Sequence, residues 1–324
     1  MAQQTDGTRA ASLLIFPEAP LKIVITGGAG FIGSALTQAL RTGGHTVTPV
    51  DNLSVTSRRR PSAQGLQVRD VRSLTVRDLD GVDTVVHLAA LKSVPASFEV
   101  GGFEHNVAVD RHMIHTFTQS TAHRLLLASS CEVYGEQRGP LAESAPYAPR
   151  SPYAAGKVAT EQLAGIYRPR LKDGRELGVI RFFNTFGPDE GHDAVVPAFL
   201  DAAAEDQPLT IEGDGMQARD LTYIDDAVTM LTRILDAPGL LPVVNCGSGV
   251  PVSVLDLARA VIRAAGRGTI THTAPRINEI SSFTADQSLF TRSFGPVTCR
   301  PLDEALALSV QRRTDILPVT AAAR

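Results

Sequence analysis

Two segments in the middle of the chain carry residue types that could move protons to and from a substrate. Ser130, Cys131 and Glu132 place a hydroxyl, a thiol and a carboxylate in succession, and Tyr153 and Lys157 follow downstream. The tyrosine and the lysine are one helical turn apart and share a face, so the ammonium would lower the pKa of the phenol. A phenolate could then accept a hydroxyl proton as hydride leaves the same carbon. Oxidation of an alcohol needs no further thiol or carboxylate, whereas removal of water needs an additional acid and base.

A glycine-rich turn near the start of the chain predicts a dinucleotide site. The apolar run 22–26 is typical of a buried strand, and apolar residues at helical spacing follow the turn. Gly27 permits a tight turn, Gly30 lets the backbone approach a pyrophosphate, and Gly33 lets the helix pack on the strand. Because Phe31 and Ile32 begin the helix, its N–H groups and positive dipole end would face the phosphates.

Acidic residues at the ends of the next strands bear on which dinucleotide binds. Asp51 ends the second strand at the distance expected for binding both adenosine ribose hydroxyls, and its carboxylate would repel a 2′-phosphate. It therefore favours NAD. The basic run 58–60 could instead favour NADP, although we interpret it as a solvated loop. Asp70 and Val71, after the third strand, could meet the adenine edge.

Alternation of strands and helices indicates the fold that must position these groups. Apolar strands and periodic helical segments alternate up to about residue 185, which predicts an α/β fold with a doubly wound parallel sheet of the Rossmann type. Beyond it the rhythm changes to a smaller mixed α/β region that would close over the carboxyl edge of the sheet. We expect a flexible leader at 1–20, a dinucleotide-binding domain at 21–185 and a mainly substrate-binding domain at 186–324, some of whose strands or helices return to the large domain.

Composition and charge exclude several classes of protein. The chain is 43% hydrophobic and 20% charged, as expected of a globular protein, and its net charge of −3 offers no basic field for nucleic acid or an anionic membrane. No apolar run reaches transmembrane length. Cys131, Cys246 and Cys299 are far apart, which argues against a disulfide framework or a zinc site and fits a reducing cytoplasm. The histidines at 105, 112 and 115 are predicted to lie along a helix, so no metal site is expected.

The motifs together resemble extended short-chain dehydrogenases/reductases of the nucleotide-sugar epimerase and dehydratase kind, from about residue 22 to residue 290. The resemblance is carried by the segments 26–33, 51–52, 87–90, Asn106, 129–135, Tyr153 with Lys157, 181–184 and 213–220. It implies NAD as a cofactor that is regenerated in each turnover, and a UDP-sugar as the small-molecule substrate.

The resemblance also assigns residues to each ligand. The cofactor-binding residues that it implies are Gly27, Gly30, Phe31, Ile32, Gly33, Asp51, Asn52, Asp70, Val71, Leu88, Ala89, Ala90, Lys92, Asn106, Ser129, Tyr153 and Lys157. Those implied for the substrate are Lys92, Ser93, Ser130, Asn184, Val196, Arg219, Arg276 and Glu279. Asn106 could instead simply cap its helix, and structural roles stay open for Asn184 and Glu279.

The residues at positions 131 and 132 distinguish reactions within this family. The 4-epimerases usually carry groups without a proton-transfer role there, and the 4,6-dehydratases carry Asp and Glu. The run 130–135, with 92–98 and 276–280, is similar to the UDP-N-acetylglucosamine 5,6-dehydratases of tunicamycin biosynthesis, a nucleoside-antibiotic pathway. This resemblance implies a lyase in which Ser130 and Tyr153 handle the C4 hydroxyl, Glu132 removes the C5 proton and Cys131 protonates the leaving C6 hydroxyl. A 4,6-dehydratase, a 4-epimerase and a non-catalytic dinucleotide-binding regulator remain alternatives.

Two further expectations depend on local geometry. A regular strand would point Cys131 and Glu132 to opposite faces, so both reach one substrate only if the chain bends after Ser130; Cys131 could otherwise be a small buried residue. Helices 106–122 and 153–167 commonly pair across a two-fold axis in this family, which implies a homodimer. The apolar residues at 107, 113, 114 and 117 could lie in that interface or face the sheet.

Overall fold

The computed structural model describes residues 20–54, 64–99, 101–192, 194–276 and 279–314. The expected leader, apart from Pro20, and the basic run 58–60 lie outside the described residues. The strands are β1 Lys22–Thr26, β2 Thr46–Asp51, β3 Gln67–Val68, β4 Thr84–His87, β5 Arg124–Ser130, β6 Glu176–Phe182, β7 Asn184–Phe186, β8 Leu209–Glu212, β9 Ala218–Tyr223, β10 Val244–Cys246, β11 Pro251–Ser253, β12 Ile270–Thr273 and β13 Ser282–Phe283. The helices are α1 Phe31–Thr42, α2 Val76–Leu79, α3 Gly102–Gln119, α4 Pro152–Tyr167, α5 Val195–Ala204, α6 Ile224–Asp236, α7 Val254–Ala265, α8 Ser288–Phe294 and α9 Leu302–Thr314. Short 3₁₀ helices lie at Val71–Ser73, Pro95–Phe98, Cys131–Tyr134 and Arg168–Arg170.

The large sheet is seven-stranded and parallel, in the order β10-β6-β5-β4-β1-β2-β3. This confirms the predicted doubly wound α/β fold. The strand order reverses between β1 and β4, where doubly wound folds bind their ligands. Strand β10 comes from the second half of the chain and extends this sheet beyond β6. The predicted domain boundary near residue 185 stays a prediction.

Both faces of the sheet are covered, because alternate side chains of each strand point to opposite sides. On β1, Ile23 and Ile25 belong to a core shared with α1, α5, α6 and α7, whereas Val24 belongs to the core under α3. Met113 and Phe117 of α3 are fully buried in that second core. They therefore face the sheet and are not available to a dimer interface.

The remaining strands form smaller sheets beside the large one. Strand β9 pairs with β11, β13 and β7, and β8 pairs with β12. Asp220 of β9 is fully buried and accepts hydrogen bonds from the backbone of Ser248, Gly249 and Ala285. This carboxylate ties two separate segments to β9, around residues 248–249 and at Ala285, and so fixes the strand that carries Arg219.

The described ranges of the chain contain neither a membrane-spanning helix nor a metal-binding cluster. No helix there is long and apolar enough to cross a membrane. No group of histidine, cysteine and carboxylate side chains there could hold a metal ion. The histidines at 105, 112 and 115 all lie on α3.

Candidate active site

A cavity of about 1380 Å³ lies at the carboxyl edge of the large sheet. It exceeds the roughly 300–1,000 Å³ of a pocket for one drug-sized ligand, so there is room for more than one. The predicted site residues that line it are Gly27, Gly30, Phe31, Ile32, Gly33, Asp51, Asn52, Asp70, Val71, Leu88, Ala89, Ala90, Lys92, Ser93, Ser129, Ser130, Cys131, Glu132, Tyr153, Lys157, Asn184, Val196, Arg219, Arg276 and Glu279. Of the predicted residues, only Asn106 is absent from this lining.

The glycine turn has the form that a pyrophosphate site requires. Gly27 has a φ of +70°, and a Cβ there would lie 2.8 Å from the backbone nitrogen of Ala89. Gly30 is the N-cap of α1, and among the described residues no side chain caps this helix. The first-turn N–H groups thus have no side-chain acceptor, which fits a bound anion.

Helix α1 packs too closely on this turn for any side chain at Gly33. A Cβ at this position would collide with the carbonyl oxygen of Gly27, and neither group can move without shifting the backbone. We predict that Gly33→Ala lowers the free energy of unfolding by about 1–3 kcal/mol and weakens NAD binding. Gly165→Ala, in an open position of α4, is the matched control and should stabilise the protein by about 0.5–1 kcal/mol. Urea denaturation and calorimetric titration with NAD measure both effects; equal stabilities for the two variants would contradict the argument.

The two acidic residues predicted to contact the adenosine are held in different ways. Asp51 accepts hydrogen bonds from the backbone N–H groups of Ala29 (3.0 Å) and Leu53 (2.8 Å), which fix its carboxylate beside the glycine turn. Asp70 accepts from the backbone and the guanidinium of Arg72, which hold the pKa of its carboxyl well below the usual range. Both carboxylates thus lie at the cavity wall, consistent with ribose and adenine contacts.

Asn106 does not cap its helix, and its predicted neighbourhood to the cofactor stays a prediction. It is buried in the interior of α3, which begins at Gly102 with Gly101 as its N-cap, so it caps no helix. Its side-chain amide accepts a hydrogen bond from the backbone N–H of Leu91 (2.8 Å) and donates one to the Leu91 carbonyl (2.9 Å). These two hydrogen bonds hold the segment after β4. Residues of that segment line the cavity, whereas Asn106 itself does not.

The chain bends after Ser130, as simultaneous access of the next two side chains requires. Strand β5 ends at Ser130, whose hydroxyl accepts a hydrogen bond from the backbone N–H of Glu132 (3.2 Å), and the 3₁₀ helix begins at once. A 3₁₀ turn does not alternate side chains between faces as a strand does. Cys131 and Glu132 consequently both line the cavity.

Burial changes the acidity of both residues. It raises the pKa of the Cys131 thiol well above its ordinary value, and the neighbouring Glu132 carboxylate adds to this shift. Burial also raises the pKa of Glu132, against the opposing charge of Arg219. The thiol is therefore held in its protonated form, able to donate a proton, while the carboxylate is a stronger base than an exposed glutamate.

Helix α4 presents Tyr153 and Lys157 on the same wall. Ser151 caps the helix by accepting from the backbone N–H of Ala154 (3.1 Å), and the Ser97 hydroxyl accepts from the backbone N–H of Tyr153 (3.1 Å). Without cofactor, burial raises the pKa of Tyr153, although Lys157 and the Ser130 hydrogen bond lower it. The predicted lowering by the ammonium is therefore present but is outweighed by burial.

Sequence reasoning missed the group that accompanies Lys157. Asp110 of α3 is 1% exposed and accepts a hydrogen bond from the lysine ammonium (3.2 Å). Asp110 follows Val109 and lies at helical spacing from Asn106 and Met113, on the buried face of α3. This position was the signal from which the sequence could have revealed it. A carboxylate on such a face needs a buried partner.

The two arginines predicted for the diphosphate already have counter-ions. Arg219 pairs with Glu279 and also donates to the carbonyl oxygen of Ile280 (2.9 Å), while Arg276 pairs with Glu212. Arg276 is the more exposed of the two, with 60% of its side chain accessible against 18% for Arg219. A bound anion would therefore compete with carboxylates for both guanidiniums.

Comparison with known proteins gives matches over most of the chain. Residues 23–247 match the family described as the NAD dependent epimerase/dehydratase family. The solved structure of TunA, described as a novel NAD dependent-NDP-hexosamine 5,6-dehydratase involved in tunicamycin biosynthesis, is 40% identical; the alignment covers 90% of this chain and 96% of that chain, with a TM-score of 0.84.

Other relatives have different described activities. MoeE5, solved in complex with UDP-glucuronic acid and NAD, is 32% identical; the alignment covers 90% of this chain and 99% of that chain, with a TM-score of 0.82. A protein of Bacillus subtilis (strain 168), described as the uncharacterized UDP-glucose epimerase YtcB, is 32% identical over 291 residues, 83% of this chain and 90% of its own length. The family match includes the glycine turn, Asp51 and the Tyr153–Lys157 pair.

Proposed function

Because this chain belongs to the NAD dependent epimerase/dehydratase family, with NAD as its cofactor, we propose that it is a UDP-N-acetylglucosamine 5,6-dehydratase. The observation that carries the proposal is the bend after Ser130, which brings an acid and a base, Cys131 and Glu132, to the cavity wall that holds Tyr153. An epimerase needs no second acid and base. The similarity to TunA, an NDP-hexosamine 5,6-dehydratase, supports the same reaction.

The reaction needs four proton-transfer events, and the site offers a residue for each. NAD, which the glycine turn and Asp51 would hold, would supply the hydride acceptor for oxidation at C4 and the hydride donor for its later reduction. Tyr153, hydrogen-bonded to Ser130, takes the C4 hydroxyl proton and gives it back in the last step. The C4 ketone acidifies C5, from which Glu132 removes the proton. Cys131 donates a proton to the C6 hydroxyl, the C6–O bond breaks, and water leaves with a C5–C6 double bond in place.

One turnover leaves Glu132 protonated and Cys131 as thiolate. Cys131 and Glu132 are neighbours in the turn, and a negative charge on one disfavours a negative charge on the other. The Glu132 carboxylate accordingly raises the pKa of the Cys131 thiol. Transfer of the proton from carboxyl to thiolate restores both groups. The net change is loss of one water molecule.

The nucleotide part of the substrate would lie toward the second half of the chain. Asn184 begins β7 and is exposed to the cavity, and Val196 of α5 gives it a buried apolar wall. Arg219 and Arg276 would exchange their carboxylate partners for the diphosphate, since a guanidinium forms paired hydrogen bonds with phosphate oxygens. Glu279, released from Arg219, would then be available to the ribose.

Proton NMR of the product tests the proposal. Incubation of the holoenzyme with UDP-N-acetylglucosamine should give the vinylic methylene signals of a 5,6-ene sugar. A methyl doublet would instead identify a 4,6-dehydratase, and a changed C4 coupling without either signal a 4-epimerase. No product at all would favour a non-catalytic dinucleotide-binding protein.

Loss of the thiol should slow elimination and leave oxidation intact. We predict that Cys131→Ala lowers the rate of 5,6-ene formation by about 10²–10⁴-fold, because a positioned general acid contributes a factor of that size. Cys246→Ala, which removes a buried thiol of β10 outside the cavity, is the matched control and should keep its turnover. Both rates come from the vinylic signal; equal rates would assign Cys131 a packing role only.

The pH dependence follows from the raised pKa of Glu132. As a base it must be ionised, so turnover falls when acidification protonates it. Since burial raises this pKa, the acid limb of kcat should lie above the usual glutamate value of about 4.3. A kcat–pH profile measures the limb, which should disappear in Glu132→Gln; a limb at or below the ordinary value would contradict the assignment.

We also propose that the enzyme is a homodimer through α3 and α4 and serves nucleoside-antibiotic biosynthesis. The two helices pack on each other, and Gly156 of α4 lies against Phe103 and Val107 of α3. Light scattering measures the mass; a monomer would remove the dimer proposal.

A further inference from the structure

A buried hydrogen-bond network lies behind the Tyr153–Lys157 pair, outside the substrate contacts. Asp110 of α3 accepts hydrogen bonds from three side chains: the Lys157 ammonium (3.2 Å), the Thr160 hydroxyl (2.5 Å) and His87 Nε2 (3.0 Å). His87 Nδ1 lies 2.6 Å from the hydroxyl of Thr26 at the end of β1. All five residues are at most 2% exposed.

The donors in this network all point toward the carboxylate. When the Thr26 hydroxyl donates to His87 Nδ1, the neutral imidazole carries its proton on Nε2 and donates it to Asp110. The carboxylate then has three donors and no unsatisfied oxygen, as a buried charge requires. The Lys157 ammonium opposes the effect of burial and, with His87, holds the pKa of Asp110 at about 2.

The arrangement decides the charge of the lysine. Burial by itself lowers the pKa of an ammonium, because the charged form loses its hydration. In Lys157 this effect is outweighed by the Asp110 carboxylate, and the pKa of the lysine is raised. The Tyr153 phenol depends on that positive charge, which is one of the two influences that lower its pKa.

We propose that Asp110 is a positioning residue for proton transfer, which aims the Lys157 ammonium and keeps it charged. Its part in catalysis rests on the proposed function, whereas the charge state of Lys157 does not. His87 and Thr160 fix the carboxylate, so the network links the ends of β1 and β4 and helix α3 to the reacting end of α4.

Other charged groups around the lysine are already paired. Glu161, one turn further along α4, accepts hydrogen bonds from the guanidinium of Arg181 of β6 and from the Ser129 hydroxyl. It also interacts electrostatically with Arg168 of the 3₁₀ helix that follows α4. Facing Tyr153 from the 3₁₀ helix are Cys131 and Glu132. Asp110 is thus the carboxylate that bonds the ammonium directly.

Lysine NMR tests the charge state without any assumption about the substrate. The chain contains four lysines, Lys22, Lys92, Lys157 and Lys172. The NAD-loaded enzyme is labelled with ¹³C at the lysine Cε, and the signal that is absent from the spectrum of the Lys157→Arg variant is assigned to Lys157. The wild-type signal should not titrate below a pH of about 10, the ordinary lysine range. In Asp110→Asn it should titrate at least about one pH unit lower. An unchanged titration would overturn the proposal.

Two controls separate charge from packing. Asp110→Glu keeps the carboxylate and should keep the wild-type titration, and Thr160→Val removes one donor without changing the charge and should shift it far less than Asp110→Asn does. Should Asp110→Asn fail to fold, Asp110→Ser leaves space for water and carries the same expectation.

The kcat–pH profile tests the catalytic consequence. In Asp110→Asn the ammonium is lost as pH rises through its lowered pKa, so kcat should fall about tenfold per pH unit on the alkaline side and recover on acidification. The wild type should lack this limb, and KM should change less than kcat. A loss of kcat that is independent of pH would reduce Asp110 to a structural role. If no dehydratase product forms, the NMR titration still decides the charge of Lys157.

Discussion

Replacing Tyr153 by Phe is expected to lower turnover by about 10²–10⁴-fold, the usual contribution of a positioned general base. The change removes only the phenolic oxygen from a half-buried residue of α4 next to Ser130 and Lys157. Without the phenolic oxygen as base, the C4 hydroxyl keeps its proton and hydride transfer stops. Reduction of the bound NAD on mixing with UDP-N-acetylglucosamine, followed by absorbance, measures this first step directly.

Tyr167→Phe is the matched control for this variant. Tyr167 lies at the end of the same helix and packs against the core beneath α3, away from the cavity. It should retain wild-type turnover and NAD affinity. Equal turnover of Tyr153→Phe and wild type would remove the proposed mechanism for C4 oxidation, and with it the whole catalytic cycle.

Replacing Glu132 by Gln should separate oxidation from elimination. The amide is nearly isosteric with the carboxylate but cannot take the C5 proton, so we expect 5,6-ene formation to fall by about 10²–10⁴-fold. C4 oxidation should continue, because Tyr153, Lys157 and Ser130 are unchanged. The measurements are NADH absorbance, which should appear and persist, and the vinylic NMR signals, which should be lost.

Glu104→Gln controls for the loss of one negative charge. Glu104 is exposed in the first turn of α3 and does not line the cavity. Its turnover should match the wild type. If Glu132→Gln eliminates water at the normal rate, the base is another group; if it also fails to oxidise C4, Glu132 supports substrate binding and not a separate step.

Local patterns predicted the parts of the site that depend on residues close together in the chain. The glycine turn follows from Gly27, Gly30 and Gly33 because the steric need for each is met within one strand, turn and helix. The Tyr153–Lys157 pair follows in the same way from helical spacing. The doubly wound sheet was predictable because alternating strands and helices leave few other topologies.

Contacts between distant segments could not be obtained this way. Asn106 was assigned to the cofactor from the resemblance alone. Its hydrogen bonds to the backbone of Leu91 could not be predicted, because they depend on how α3 packs against the segment that follows β4. The counter-ions of Arg219 and Arg276 could not be predicted either, since they come close only when β9 pairs with β13 and β8 pairs with β12. Such pairs are decided by packing, which one sequence does not encode as a pattern.

By itself, then, the sequence determined the fold, the glycine turn that receives NAD and the chemical types present at the reacting centre. The tertiary structure decided two further matters: the bend that turns Cys131 and Glu132 toward one cavity, and the burial of Asp110 against Lys157. The reason is physical. The pKa of a group depends on its desolvation and on charges within a few ångströms, and those neighbours come from segments brought together only when the chain folds.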